Sequence, residues 1–72
     1  MQKSYTSEIQ RLGNKIKELR QSKNMTQQTL SDLCEVDVRT IQRIEKGEFG
    51  IGLHILFGLA DALEVKVTEL LK

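Results

Sequence analysis

The chain has no proline, no tryptophan, one cysteine and one histidine in 72 residues, and only three aromatic side chains, one Tyr and two Phe. Each scarcity removes a class of explanation. Cys34 alone closes no disulfide within the chain, and with the single His54 it cannot assemble the about four ligands of a structural zinc site, so neither metal nor cofactor is expected. His54 has no second histidine or cysteine to complete a nucleophilic relay. No GxxxxGK[ST] phosphate loop occurs, so the chain does not read as an enzyme. No apolar run approaches the ~18 residues of a membrane span, and the N-terminus lacks the apolar stretch of a signal peptide. A lone thiol suits a reducing compartment, and the expected location is the cytoplasm. Seventy-two residues make one domain at most, with a small core that regular packing or dimerisation must support.

Isoleucine, leucine, lysine, glutamate and glutamine are abundant, and they are mostly helix formers, so an all-α fold is expected. The formal net charge is only +1, but it is unevenly spread. Residues 1–47 carry nine Lys/Arg against six Asp/Glu, a surplus of three positive charges. Residues 48–72 carry two Lys against four Asp/Glu, a surplus of two negative charges. A basic part and an acidic part suit contact with a nucleic acid through the first and a protein through the second.

Breaks at Asn24, Glu35–Asp37, Gly47–Gly52 and Glu64–Lys66 leave five periodic segments, with residues 1–6 as a tail and 7–72 as the domain. The first helix is expected from Ser7 to Lys23. Ser7 and Gln10 have capping-box spacing, and Ile9, Leu12, Ile16 and Leu19 form one apolar stripe. Asn24 is a left-handed stop. The second helix is expected from Gln27 to Cys34, capped by Thr26, with Leu30, Leu33 and Cys34 inward. The third runs from Val38 to Lys46, capped by Asp37 and stopped by Gly47. The fourth covers Leu53 to Glu64 with Leu53, Leu56, Leu59, Ala60 and Leu63 inward, Phe57 at the edge and Ile55 to one side. The fifth, Val67 to Leu71, closes the core with Val67 and Leu70.

Three residues, Glu35-Val36-Asp37, join the second and third helices, which is helix-turn-helix spacing. In that arrangement the third helix lies across the outside of the domain, where it can enter a major groove. Its residues suit the task. Arg39 and Arg43 can each donate two hydrogen bonds to guanine O6 and N7, and Gln42 can pair with adenine N6 and N7. Val38 can pack on a thymine methyl, and Lys46 is placed for phosphate. Thr26, Gln27 and Gln28 crowd the positive end of the second helix, where free N–H groups and amides can clamp the DNA backbone. An Arg/Gln stripe alone also describes an ordinary solvated helix face; its position directly after the turn is what points to recognition.

The stretches LGNKIKELRQSKNMTQQTLSDLCEVD, VRTIQRIEKG and LHILFGLADALEVKVTELL, which cover residues 12–71, resemble the Xre-type helix-turn-helix family of the lambda repressor and Cro kind. The resemblance implies a five-helix, lambda-repressor-like domain whose third helix reads DNA. It implies that Gln27 holds phosphate and that Val38, Arg39, Gln42 and Arg43 face base edges. It also implies a partly buried, structural ion pair between Arg20 and Glu45. The chain departs from the family pattern in three places. Glu35 stands where glycine is usual in the turn. Ile51 and Gly52 replace a proline and a serine before the fourth helix, which leaves the phosphate contacts of the loop from Glu48 to Gly52 in question. Lys66 stands where a capping serine is common.

One recognition helix reads few base pairs, so a homodimer on a palindromic double-stranded DNA site is expected, with the two helices ~34–36 Å apart. Interface candidates are Phe49, Ile51, Ile55, Phe57 and Leu71; the alternative for Phe57 and Leu71 is the core. The expected role is a transcriptional regulator acting by occlusion as a repressor, or by recruitment. A restriction–modification controller and an antitoxin-type autorepressor are variants of the same reading. The alternative of another class is a protein-interaction module with this fold and no DNA binding.

Overall fold

The computed structural model describes residues 5–48 and 50–72. It contains five helices: α1 (Thr6–Ser22), α2 (Gln27–Cys34), α3 (Val38–Lys46), α4 (Leu53–Ala62) and α5 (Val67–Leu70). No strand occurs among the described residues. α1 packs on α3, α3 on α2, α2 on α4, and α5 bridges α4 and α1. The centre is Ile16, Leu30, Ile41, Ile44, Leu59, Leu63 and Leu70, each essentially removed from solvent.

The start signals work where a short polar side chain precedes the helix. Thr26 Oγ1 accepts from the Thr29 N–H at 3.0 Å, and Asp37 Oδ1 accepts from the Arg39 N–H at 2.8 Å. The stop signals share one device. Asn24, Glu35, Gly47 and Glu64 all take positive φ, between 57° and 71°. The residue after each one donates its N–H back across the last turn, Met25 to Arg20 and Val36 to Ser31, Glu48 to Arg43 and Val65 to Ala60, at 2.9–3.1 Å. Glycine is cost-free at such a position, whereas glutamate pays the left-handed penalty of ~1–2 kcal/mol. Glu35 therefore keeps the turn's backbone conformation without the glycine that the family resemblance leads one to expect.

The structure corrects the sequence reading in several places. α1 begins at Thr6 behind Tyr5, which is left-handed and gives no side-chain cap; Ser7 is already inside the first turn and caps nothing. α4 ends two residues early because Glu64 turns left-handed, and Lys66 precedes α5 without a side-chain cap. Leu33 was expected inside and is exposed. At about 100° per residue Leu30, Ser31 and Cys34 fill one arc of α2, and Leu33 falls ~60° beyond its edge. Ser31, not Leu33, takes the fully buried place, its hydroxyl donating to the Gln28 carbonyl. Leu53, also expected inside, opens α4 on the side of Phe57 and is exposed.

Gly13 shows how closely α1 and α3 approach. It is buried, and a Cβ there would collide with the Ile44 carbonyl oxygen and crowd that of Glu45. Only glycine lets the backbone of α1 lie against the end of α3.

Candidate nucleic-acid interface

α3 has two faces. Ile41, Ile44 and Glu45 are buried on one. Arg39, Gln42, Arg43 and Lys46 are exposed and occupy a single arc ~100° wide on the other. Val38 borders the two and is half-buried. The arc carries three cations and one amide, a set of donors matched to the acceptors of guanine, adenine and phosphate. Arg43 reaches toward the loop that follows α3, its Nε 3.6 Å from Glu48 Oε1. Both groups are well exposed, and such a bridge contributes little and yields readily to a stronger anion.

The position of this arc is set by the one buried ionic cluster among the described residues. Arg20 Nε donates to Glu45 Oε2 at 2.7 Å, and Arg20 NH2 donates to Glu45 Oε1 at 3.1 Å. Arg20 NH1 donates to the Met25 carbonyl at 2.7 Å. Gln27 Nε2 completes the set by donating to Glu45 Oε1 at 3.0 Å. The side chains of Arg20 and Glu45 are 10% and 3% exposed, so the paired charges are largely out of water. The guanidinium fork meets the carboxylate in two parallel bonds, the strong form of this contact. One carboxylate on α3 thus joins α1 and the start of α2.

The second anchor expected from the sequence is less free than it reads. Thr26 is spent on capping, within 2.9 Å of the Thr29 hydroxyl as well. Gln28 is exposed and bonds along its own helix, Nε2 to Asp32 Oδ1 at 2.9 Å. Gln27 is half-buried and turned toward Glu45. An amide nitrogen carries two N–H groups, so Gln27 keeps one donor after serving Glu45. This tether links residues 18 apart and so leaves no local signal.

A polar cleft of about 350 Å³ opens beside this cluster, lined by Lys17, Gln27, Gln42, Glu45 and Lys46. Lys17 has no role in the sequence reading. Its spacing of three from Arg20 and four from Gly13 is the signal that puts it on the strip of α1 nearest α3.

The interface candidates separate. Phe57 and Leu71 are 59% and 56% exposed, which removes the core alternative. Ile51 and Ile55 are half-buried against the core, and Phe49 lies outside the described residues. Leu53 joins Phe57 one turn away, so α4 presents an apolar pair to solvent. Among the described residues no group of three or more His, Cys, Asp or Glu could hold a metal ion, and no helix is long and apolar enough to cross a membrane.

Comparison with known proteins agrees with this geometry. No curated protein matches the chain. Among solved structures, the restriction-modification controller protein C.AhdI from Aeromonas hydrophila is 30% identical and superposes with a TM-score of 0.86, covering 89% of this chain and 97% of that one. The clp gene regulator ClgR from C. glutamicum is 22% identical, with a TM-score of 0.81 over 86% of this chain and 80% of that one. An HTH_3 family transcriptional regulator from Vibrio cholerae is 22% identical, with a TM-score of 0.86 over 93% of this chain and 38% of that one. The last two are likenesses of fold. The helix-turn-helix family model HTH_3 matches residues 16–70, a span that holds α2 to α5 and both partners of the Arg20–Glu45 pair, and the chain belongs to that family.

Proposed function

We propose that this protein is a sequence-specific transcriptional regulator that binds double-stranded DNA as a homodimer on a palindromic operator, repressing by occlusion of the promoter. The observation that carries the reading is the exposed arc of Arg39, Gln42, Arg43 and Lys46 on a helix fixed by its opposite face. Arg39, Gln42 and Arg43 address base edges, with Val38 at their border. Lys46, Gln27 and the start of α2 address phosphate, Thr26 holding that start in shape and Gln28 lying beside it. Dimerisation is supported by the exposed Phe57 and Leu71, with Ile51, Ile55 and Phe49 as further candidates. The DNA-binding domain of this reading spans residues 7–72, with α1 reaching one residue further back, to Thr6, into the segment 1–6. The reading requires no cofactor and no catalytic step, and it places the protein in the cytoplasm with its DNA.

Among regulator roles, the likeness to C.AhdI over nearly all of that protein's length favours a restriction–modification controller over a phage repressor or an antitoxin. The decisive experiment is selection from a randomised duplex library with wild type, Arg39→Ala and Arg43→Ala. A palindrome is expected to be enriched by wild type, each variant losing about 1–3 kcal/mol of discrimination at its own position. Failure of folded wild-type protein to enrich any sequence at low salt would leave the protein-interaction reading in its place.

A further inference from the structure

We propose that Lys17 of α1 and Lys46 of α3 clamp one and the same DNA backbone phosphate in the cleft between them, so that the first helix takes part directly in docking. The inference rests on the DNA-binding reading above and adds to it a contact and a contact residue. Three observations carry it. Lys17 and Lys46 come from different helices and line one cleft with Gln27 and Gln42. Neither lysine has an acidic partner within ion-pair distance among the described residues, unlike Lys23, Arg20 and Lys72. Among the described residues the only carboxylate lining the cleft is Glu45, and its oxygens already accept three hydrogen bonds, two from Arg20 and one from Gln27. The cleft, about 350 Å³ in volume, is therefore lined by two lysines with no acidic partner among the described residues and by Gln27, whose amide keeps a second N–H.

An ammonium is a point charge without a required plane, and two of them can share one phosphate's oxygens from opposite sides. A peptide carboxylate offers only two oxygens, and the cleft opens beside the outward arc of α3, where a DNA backbone would run. A phosphate held between α1 and α3 would fix the depth and tilt of the recognition helix without reading sequence.

The test is a salt titration of operator and random duplex with wild type, Lys17→Gln, Lys46→Gln and the double variant, joined to a scan in which single phosphates are replaced by neutral methylphosphonates. Both lysines are exposed, and circular dichroism checks that each variant keeps its fold. Lys17→Gln is expected to weaken binding to both duplexes alike and to reduce the log–log salt slope by up to about 0.9, which makes the loss of affinity between 50 and 200 mM salt up to about 3.5-fold smaller. One methylphosphonate position per half-site should weaken wild type yet leave the double variant unaffected. A Lys17→Gln protein with wild-type affinity and slope overturns the clamp while leaving DNA binding intact. Distinct methylphosphonate positions for the two lysines overturn the shared phosphate. Absence of any wild-type DNA binding at low salt overturns the DNA-binding reading and the clamp with it.

Discussion

Removing Arg20 should come close to unfolding the protein. Arg20→Ala deletes two bonds to Glu45 and one to the Met25 carbonyl, and it leaves a carboxylate with 3% exposed side-chain area facing only the Gln27 amide. Stranding one partner of a buried pair costs ~3–5 kcal/mol. At ~0.05–0.15 kcal/mol per residue, a chain of 72 residues has about 4–11 kcal/mol in total. The loss is thus about a quarter of the stability at the least, and a domain of this size loses ~4–8 °C in Tm per kcal/mol, giving a fall of about 12 °C or more. Urea unfolding followed by helical circular dichroism measures it. The sharper part of the test is Arg20→Met combined with Glu45→Leu. Removing both charges also removes the stranded one, and an apolar pair of similar volume is often neutral or better. The double variant should therefore recover about 2 kcal/mol relative to Arg20→Ala, even though the Met25 carbonyl loses its donor. If Arg20→Ala costs below about 1 kcal/mol, the value of an exposed bridge, or if the double variant is as unstable as its parents' losses added together, the reasoning from burial is wrong.

Other substitutions probe the backbone and the thiol. Glu35→Gly should raise stability by up to about 1 kcal/mol in the same urea assay, because φ is 57° and the left-handed penalty of ~1–2 kcal/mol is partly offset by glycine's larger entropy loss on folding. Gly13→Ala should cost about 1–3 kcal/mol or more through collision with the Ile44 carbonyl oxygen, and it should change the amide chemical shifts of α3 more than those of α4. Burial, and secondarily the charge of Asp61, push the Cys34 thiol above its ordinary value. The unfolded chain then ionises before the folded one as pH rises. Stability should therefore be flat below the ordinary thiol range and fall above it, and Cys34→Ala should remove that part of the pH dependence.

The sequence made the helix-turn-helix legible because its signals are local. Thr26, Asp37 and Gly47 act on backbone groups within four residues, and α2 begins, and α3 begins and ends, where those residues imply. Periodicity located Ile41 and Ile44 inside and the arginines outside for the same reason. The misreadings arise where a long-range fact decides. Ser7 has the spacing of a cap, but nothing in its neighbourhood reveals that the chain bends at Tyr5 instead. Leu33 looks as apolar as Leu30; only the approach of neighbouring helices to Ser31 shows which arc of α2 is turned inward. Gln27 stands at a helix start, and its tether to Glu45 across 18 positions is invisible without the fold. The Arg20–Glu45 pair, 25 positions apart, came from family resemblance rather than from either residue's surroundings.

α3 divides its labour by rotation. Glu45 and Ile44 lock it in place, while Arg39, Gln42 and Arg43 are exposed on the opposite face. Those three positions can therefore be varied with little effect on folding, and a library randomised there alone should consist mostly of folded proteins. On the proposed reading, new operator preferences would be within reach of two or three substitutions, each free of a stability cost that a second change must repair. Retargeting in nature and in the laboratory would follow the same short path.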